Sequence, residues 1–178
     1  MNKIMVGLVS LLGFVSPAAA GDVFYSTSTN GGWDIVGEYN DLKLNPACYI
    51  KRDYADGSKF MMIKDLKDGE IYFMNRNVEW NISDEPGKKD GYQVRLVFYK
   101  SNGEVSGGVV QYILVNKNTI RVPDLNVEKF VKSVFEYARM VLIMPGNIQN
   151  AEITLNGTRD AISKMSDCID VSSKYVKN

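Results

Sequence analysis

The most constraining feature of this sequence is a single change of hydrophobic period. Between Trp33 and Val122, apolar residues come in short, largely alternating runs separated by turn formers. From Val127 the spacing lengthens, and Val127, Phe130, Val131, Val134, Phe135 and Ala138 fall at i, i+3, i+4, i+7, i+8 and i+11. Alternation suits a strand with one buried face, and the longer spacing suits a helix with one buried stripe. A chain that switches this way builds sheet first and then lays helices against it.

The runs predict strands over Trp33–Tyr39, Ala47–Tyr54, Lys59–Lys64, Glu70–Asn75, Val78–Ile82, Tyr92–Tyr99, Glu104–Val115 and Thr119–Val122. Asp56-Gly57, Asp68-Gly69 and Asn102-Gly103 supply the positive φ that tight turns need. Ser26–Gly32 is small and polar and reads as a loop or frayed end, and Pro86–Gly91 as a loop. Gly107-Gly108, inside a strand-like run, marks a bulge or a close backbone approach. The helix over 127–138 is capped by Asp124 or Asn126. Arg139–Met144 and Asn150–Leu155 read as strands. A last helix over Arg159–Ile169 turns Ala161, Ile162, Met165 and Cys168 or Ile169 inward. The expected class is α+β, mainly antiparallel β in a sandwich or barrel-like sheet, with two helices near the C-terminus.

The N-terminus predicts export. Lys3 precedes the apolar run Ile4–Val15 and an Ala18-Ala19-Ala20 exit, the order of a removable leader over 1–20. The run is shorter than the ~20 residues of a membrane span, so the mature chain, 21–178, is expected as one exported β-rich domain without a span. Its charges nearly balance, with 21 Lys and Arg against 21 Asp and Glu in the whole sequence. That balance argues against nucleic acid as a partner.

Cys48 and Cys168 are the only cysteines. In an exported chain they most simply pair, stapling an early strand to the last helix. Two free buried thiols or an intermolecular bridge are the alternatives. A loop this long is worth about 4–5 kcal/mol in the chain-entropy model.

Histidine is absent, which removes Ser–His and Cys–His catalysis and His-ligated metals. The nearest carboxylate pairs are Asp34 with Glu38, Asp53 with Asp56, and the group Asp65, Asp68 and Glu70. Most lie at turns, where acids are solvated or form Asx turns. Neither a Ca²⁺ loop nor a nucleophile or phosphate-loop motif is present. No catalytic, cofactor-binding or metal residues are therefore assigned, and no cofactor is expected.

Nineteen aromatic residues (ten Tyr, seven Phe, two Trp) are the other resource. Most strand-borne aromatics should be core. Trp33, Tyr54, Asp56 and Trp80 are the candidates for a surface that binds a protein or a glycan.

The segment Ile153-Thr-Leu155-Asn-Gly157-Thr158-Arg-Asp-Ala161-Ile162-Ser-Lys-Met165-Ser-Asp-Cys168 joins a strand to a helix start and a closing Cys. With Cys48, Asp56-Gly57 and the strand Val141–Met144, it resembles small bacterial periplasmic proteins of the invasion-associated locus B type. That resemblance implies a β-sandwich, a leader and a disulfide near the C-terminus; it implies no catalytic residues. The functional expectation is a non-enzymatic binding protein of the bacterial envelope. The alternatives are a periplasmic inhibitor or immunity protein that inserts the hairpin Asp53–Lys59 into a cleft, and a His-free enzyme built on carboxylates such as Asp34 or Glu38.

Overall fold

The structure is a computed structural model that describes residues 22–40, 44–82, 92–123 and 126–172. The leader and the Pro86–Gly91 loop lie outside these residues. The elements run β1 (Asp22–Ser28), β2 (Asp34–Asn40), β3 (Leu44–Asp53), β4 (Lys59–Asp65), β5 (Ile71–Arg76), β6 (Gln93–Tyr99), β7 (Val105–Gln111), β8 (Ile113–Asn116), β9 (Thr119–Val122), α1 (Val127–Glu136), β10 (Arg139–Ile143), β11 (Ala151–Thr154) and α2 (Thr158–Ser172). The fold is α+β, mainly antiparallel β with two helices.

A seven-stranded sheet has the order β1-β2-β3-β4-β5-β9-β8, and a four-stranded sheet the order β11-β10-β6-β7. Period-two patterning fixes which face is buried. In the larger sheet, one cross-strand row runs Ile35, Ile50, Met62, Phe73, Val122. Every member is buried. In the smaller sheet, one row runs Ile153, Met140, Phe98, Ser106 and the next Ala151, Leu142, Leu96, Gly108. Both sheets close on one shared core. Phe130 of α1 bridges them, its ring 5.6 Å from Phe73 and 6.1 Å from Phe98. Asn126 caps α1, its Oδ1 accepting the Lys129 amide at 3.0 Å.

α2 lies over β1, β2 and β3. Cys168 on α2 is bonded to Cys48 on β3, with Cα atoms 6.1 Å apart. Gly37, opposite Cys48 on β2, makes room for this staple. A Cβ there would stand 2.4 Å from the Phe24 ring and 2.7 Å from Cys168 Sγ.

Three readings of the sequence are corrected. Ser26, Thr27 and Ser28 of the expected loop or frayed end belong to β1, because pairing with β2 supplies the hydrogen bonds their polar side chains do not signal, and Thr29–Gly32 form the turn. Val78–Ile82 is no strand. Asn77 Oδ1 accepts the Glu79 amide, and the Asn77 carbonyl accepts the Trp80 amide, which winds the segment into a turn. The run Glu104–Val115 is two strands that change sheets at Tyr112, whose ring stacks 5.5 Å from Tyr92. The tip of the hairpin Asp53–Lys59 (Ala55, Asp56, Gly57) is exposed, and its base is anchored. Its Ser58 is buried, and its tip Gly57 leaves only 3.3 Å between an added Cβ and Val78.

Candidate functional site

Two of the four residues named as a binding surface belong to the core. Trp33 and Trp80 are 0% and 2% exposed. Each ties a sequence-distant loop through its indole N–H: Trp33 Nε1 donates to the Asn156 carbonyl at 2.7 Å, and Trp80 Nε1 to the Gln149 carbonyl at 2.6 Å. A buried indole needs such a partner, so these rings position loops and are not available to a ligand. Tyr54 is half-buried, Asp56 is exposed, and the two line the same cavity.

The carboxylates have structural partners. Asp34 accepts the Ser28 hydroxyl at 2.7 Å. Glu38 accepts the Tyr49 hydroxyl, and burial with that bond holds Tyr49 above the usual tyrosine range. Asp53 pairs with Lys59 at 3.1 Å. Asp65 and Asp68 close Asx turns onto the Lys67 and Glu70 amides, both at 2.9 Å. Among the described residues, no three Cys, Asp or Glu side chains converge as metal ligands. No described helix is long and apolar enough to cross a membrane.

Among the concave regions are two of about equal volume. The first lies between β7 and α1, about 220 Å³, floored by Leu96, Phe98 and Phe130 and rimmed by Asn126, Lys129 and Ser133. It exists because the apolar rows of the smaller sheet end on β7 in the smallest side chains, Ser106 and Gly108. A Cβ on Gly108 would meet nothing within 4 Å, whereas one on Gly107 would stand 2.4 Å from the Leu96 carbonyl oxygen. The two glycines thus do different things. Gly107 permits the close approach anticipated from sequence, and Gly108 leaves the groove open. Among the described residues, β7 pairs only with β6, so its outer backbone groups have no partner strand there. Val105 and Val109 on it are 54% and 60% exposed.

The second region is polar, also about 220 Å³, and lies between the β3–β4 hairpin, the end of β5 and the β10–β11 loop. Sequence reasoning found its Tyr54 and Asp56 but missed Asn75. The signal was a polar residue at an inward position of β5, opposite Phe60 and Ile120. Arg52, in the same row, reaches over Trp33 and Tyr54, 5.4 and 5.8 Å from their ring centres. Burial is the main cause that pushes Tyr54 up to about 12, against a lowering by Arg52. Its hydroxyl is therefore protonated, and a donor, at neutral pH.

No protein-family model, curated protein or solved structure matches this chain.

Proposed function

We propose that the chain is a non-enzymatic binding protein of a bacterial cell envelope, exported with a leader and stapled for service outside the reducing cytosol. The resemblance of the C-terminal segment to periplasmic proteins of the invasion-associated locus B type supports the same compartment. The disulfide Cys48–Cys168 agrees with an oxidising location.

One observation carries the binding role. The β7 edge joins an unpaired backbone ladder, exposed valines and an apolar groove opened by Gly108. Natural sheets usually blunt such edges with charge, proline or a bulge. None of these interrupts Val105–Gln111, and its pairing with β6 is regular. The partner that suits it is an extended segment of another protein, added as a fifth strand with one apolar side chain seated over Gly108.

The test is capture by the tagged, oxidised mature chain from envelope and secreted fractions, beside a Gly108→Val variant that fills the groove. A stoichiometric partner whose capture falls at least about tenfold in the variant sustains the proposal. Absence of a partner, or capture indifferent to Gly108→Val, overturns it.

A further inference from the structure

One row of the inner face of the larger sheet sets polar side chains among core residues. From β3 to β8 it reads Arg52, Phe60, Asn75, Ile120, Leu114. Asn75 is 2% exposed, and its Nδ2 has no hydrogen-bond partner. The Tyr54 hydroxyl is buried: the Thr154 backbone amide acts on its oxygen, and its O–H has no acceptor. Leaving a buried donor unpaired costs about as much as losing a hydrogen bond, so these two, with Arg52 Nη1 beside them as a third, call for an occupant. Both residues line the polar cavity.

The walls say what the occupant is. Asp56 and Glu152 bring carboxylates, and no Lys or Arg lines the cavity. Asp56 spends one lone pair of each oxygen on Ser58, at 2.8 and 3.1 Å, and Glu152 accepts Arg139 at 2.9 Å. Each carboxylate keeps further accepting capacity. The two carboxylates outnumber the single guanidinium of Arg52 beside Tyr54, so the site disfavours an anion. An ammonium group, which only donates, could bond the Tyr54 oxygen but would leave the Asn75 Nδ2 donor unsatisfied. An aliphatic ligand would satisfy none of the four. A hydroxyl both donates and accepts, so neighbouring hydroxyls can serve the carboxylates and the two donors together. The volume holds about seven waters, and hydroxyls can displace waters while reproducing their bonds.

The geometry points to a carbohydrate-binding site in this cavity, taking one polyhydroxylated unit, either a free sugar or the end of a glycan. The site is separate from the β7 edge, and neither proposal rests on the other.

The test uses the oxidised mature chain and saturation-transfer NMR. The probes are D-glucose, N-acetylglucosamine, methylammonium and inorganic phosphate. Saturable binding of a sugar at about millimolar affinity or tighter is expected, with no binding of phosphate or methylammonium. Asn75→Leu should weaken the sugar at least about tenfold and Tyr54→Phe by roughly threefold to tenfold. Thermal melts of both variants verify folding, and Tyr54→Phe, which loses one hydroxyl, serves if Asn75→Leu does not fold. Oligosaccharides ending in the bound sugar distinguish the two sources. Binding at least about tenfold tighter than the monosaccharide supports a glycan end, and equal affinity supports a free sugar. No saturable sugar binding, unchanged affinity in the folded variants, or a preference for either ion overturns the proposal.

Discussion

The flank covered by α2 and the edge formed by β7 are both antiparallel and both depend on glycine, yet they are finished in opposite ways. On the flank, Gly37 lets a helix and a disulfide press onto β2 and β3, and Lys164 ties α2 to the Ser28 carbonyl of β1 at 2.9 Å. At the edge, Gly108 leaves space that nothing in the described chain fills. The flank spends its glycine on internal packing. The edge keeps its open glycine at a cost in strand stability, since glycine in a strand interior pays backbone entropy and packs no side chain. Packing is therefore tight where α2 covers the sheet and open along β7.

The comparison can be broken most forcefully at the staple. Cys168→Ser should lower unfolding free energy by about 4–5 kcal/mol, read by urea denaturation of the oxidised chain. The native protein should show no free thiol and a mass two hydrogens below the reduced sequence. At the edge, Gly107→Ala should cost about 2–3 kcal/mol, because its Cβ would meet the Leu96 carbonyl oxygen, which is backbone and cannot swing away. On the flank, Gly37→Ala should cost about 1–2 kcal/mol, because the Phe24 ring can shift. The adjacent Gly108→Val should do the reverse of Gly107→Ala, raising stability by about 0.5–1 kcal/mol while filling the groove. Thermal melts of the two neighbouring variants moving in opposite directions would sharpen the contrast; both falling would erase it.

The smallest effect concerns pH. Tyr54, just beyond β3, titrates near 10 in the unfolded chain and is pushed up to about 12 in the fold. A raised folded pKa contributes stability that is fully present below about pH 10 and is lost as pH climbs toward about 12. Denaturation midpoints of Tyr54→Phe should fall less steeply across that window than those of the parent chain.

Much of this architecture was legible because the signals are local. Gly57, Gly69 and Gly103 occupy positive φ at the anticipated turns, and the α1 stripe buries Phe130 and Val134 as its spacing requires. Cys48 and Cys168 pair as compartment logic anticipates. The readings that failed lacked a local signal. A run of Ser and Thr carries no alternation to announce β1, and a continuous apolar run hides a change of sheet at Tyr112. The fate of Trp33 and Trp80 depends on carbonyls 123 and 69 residues away, so no window of sequence could separate a binding surface from core. The same holds for the polar cavity. Asn75 marks itself as an oddity on an apolar face, but its companions Tyr54 and Glu152 come from distant elements.

By itself, the sequence determined most element types, the glycine turns, the pair of cysteines and the exclusion of histidine chemistry, because periodicity, backbone preference and side-chain inventory are properties of the chain alone. The tertiary structure decided which faces meet, which aromatics are sealed, which glycine is packed and which is left open, and where two buried donors go without partners. Those outcomes follow from register and close packing between distant segments, where a shift of one residue along a strand exchanges the core face for the solvent face.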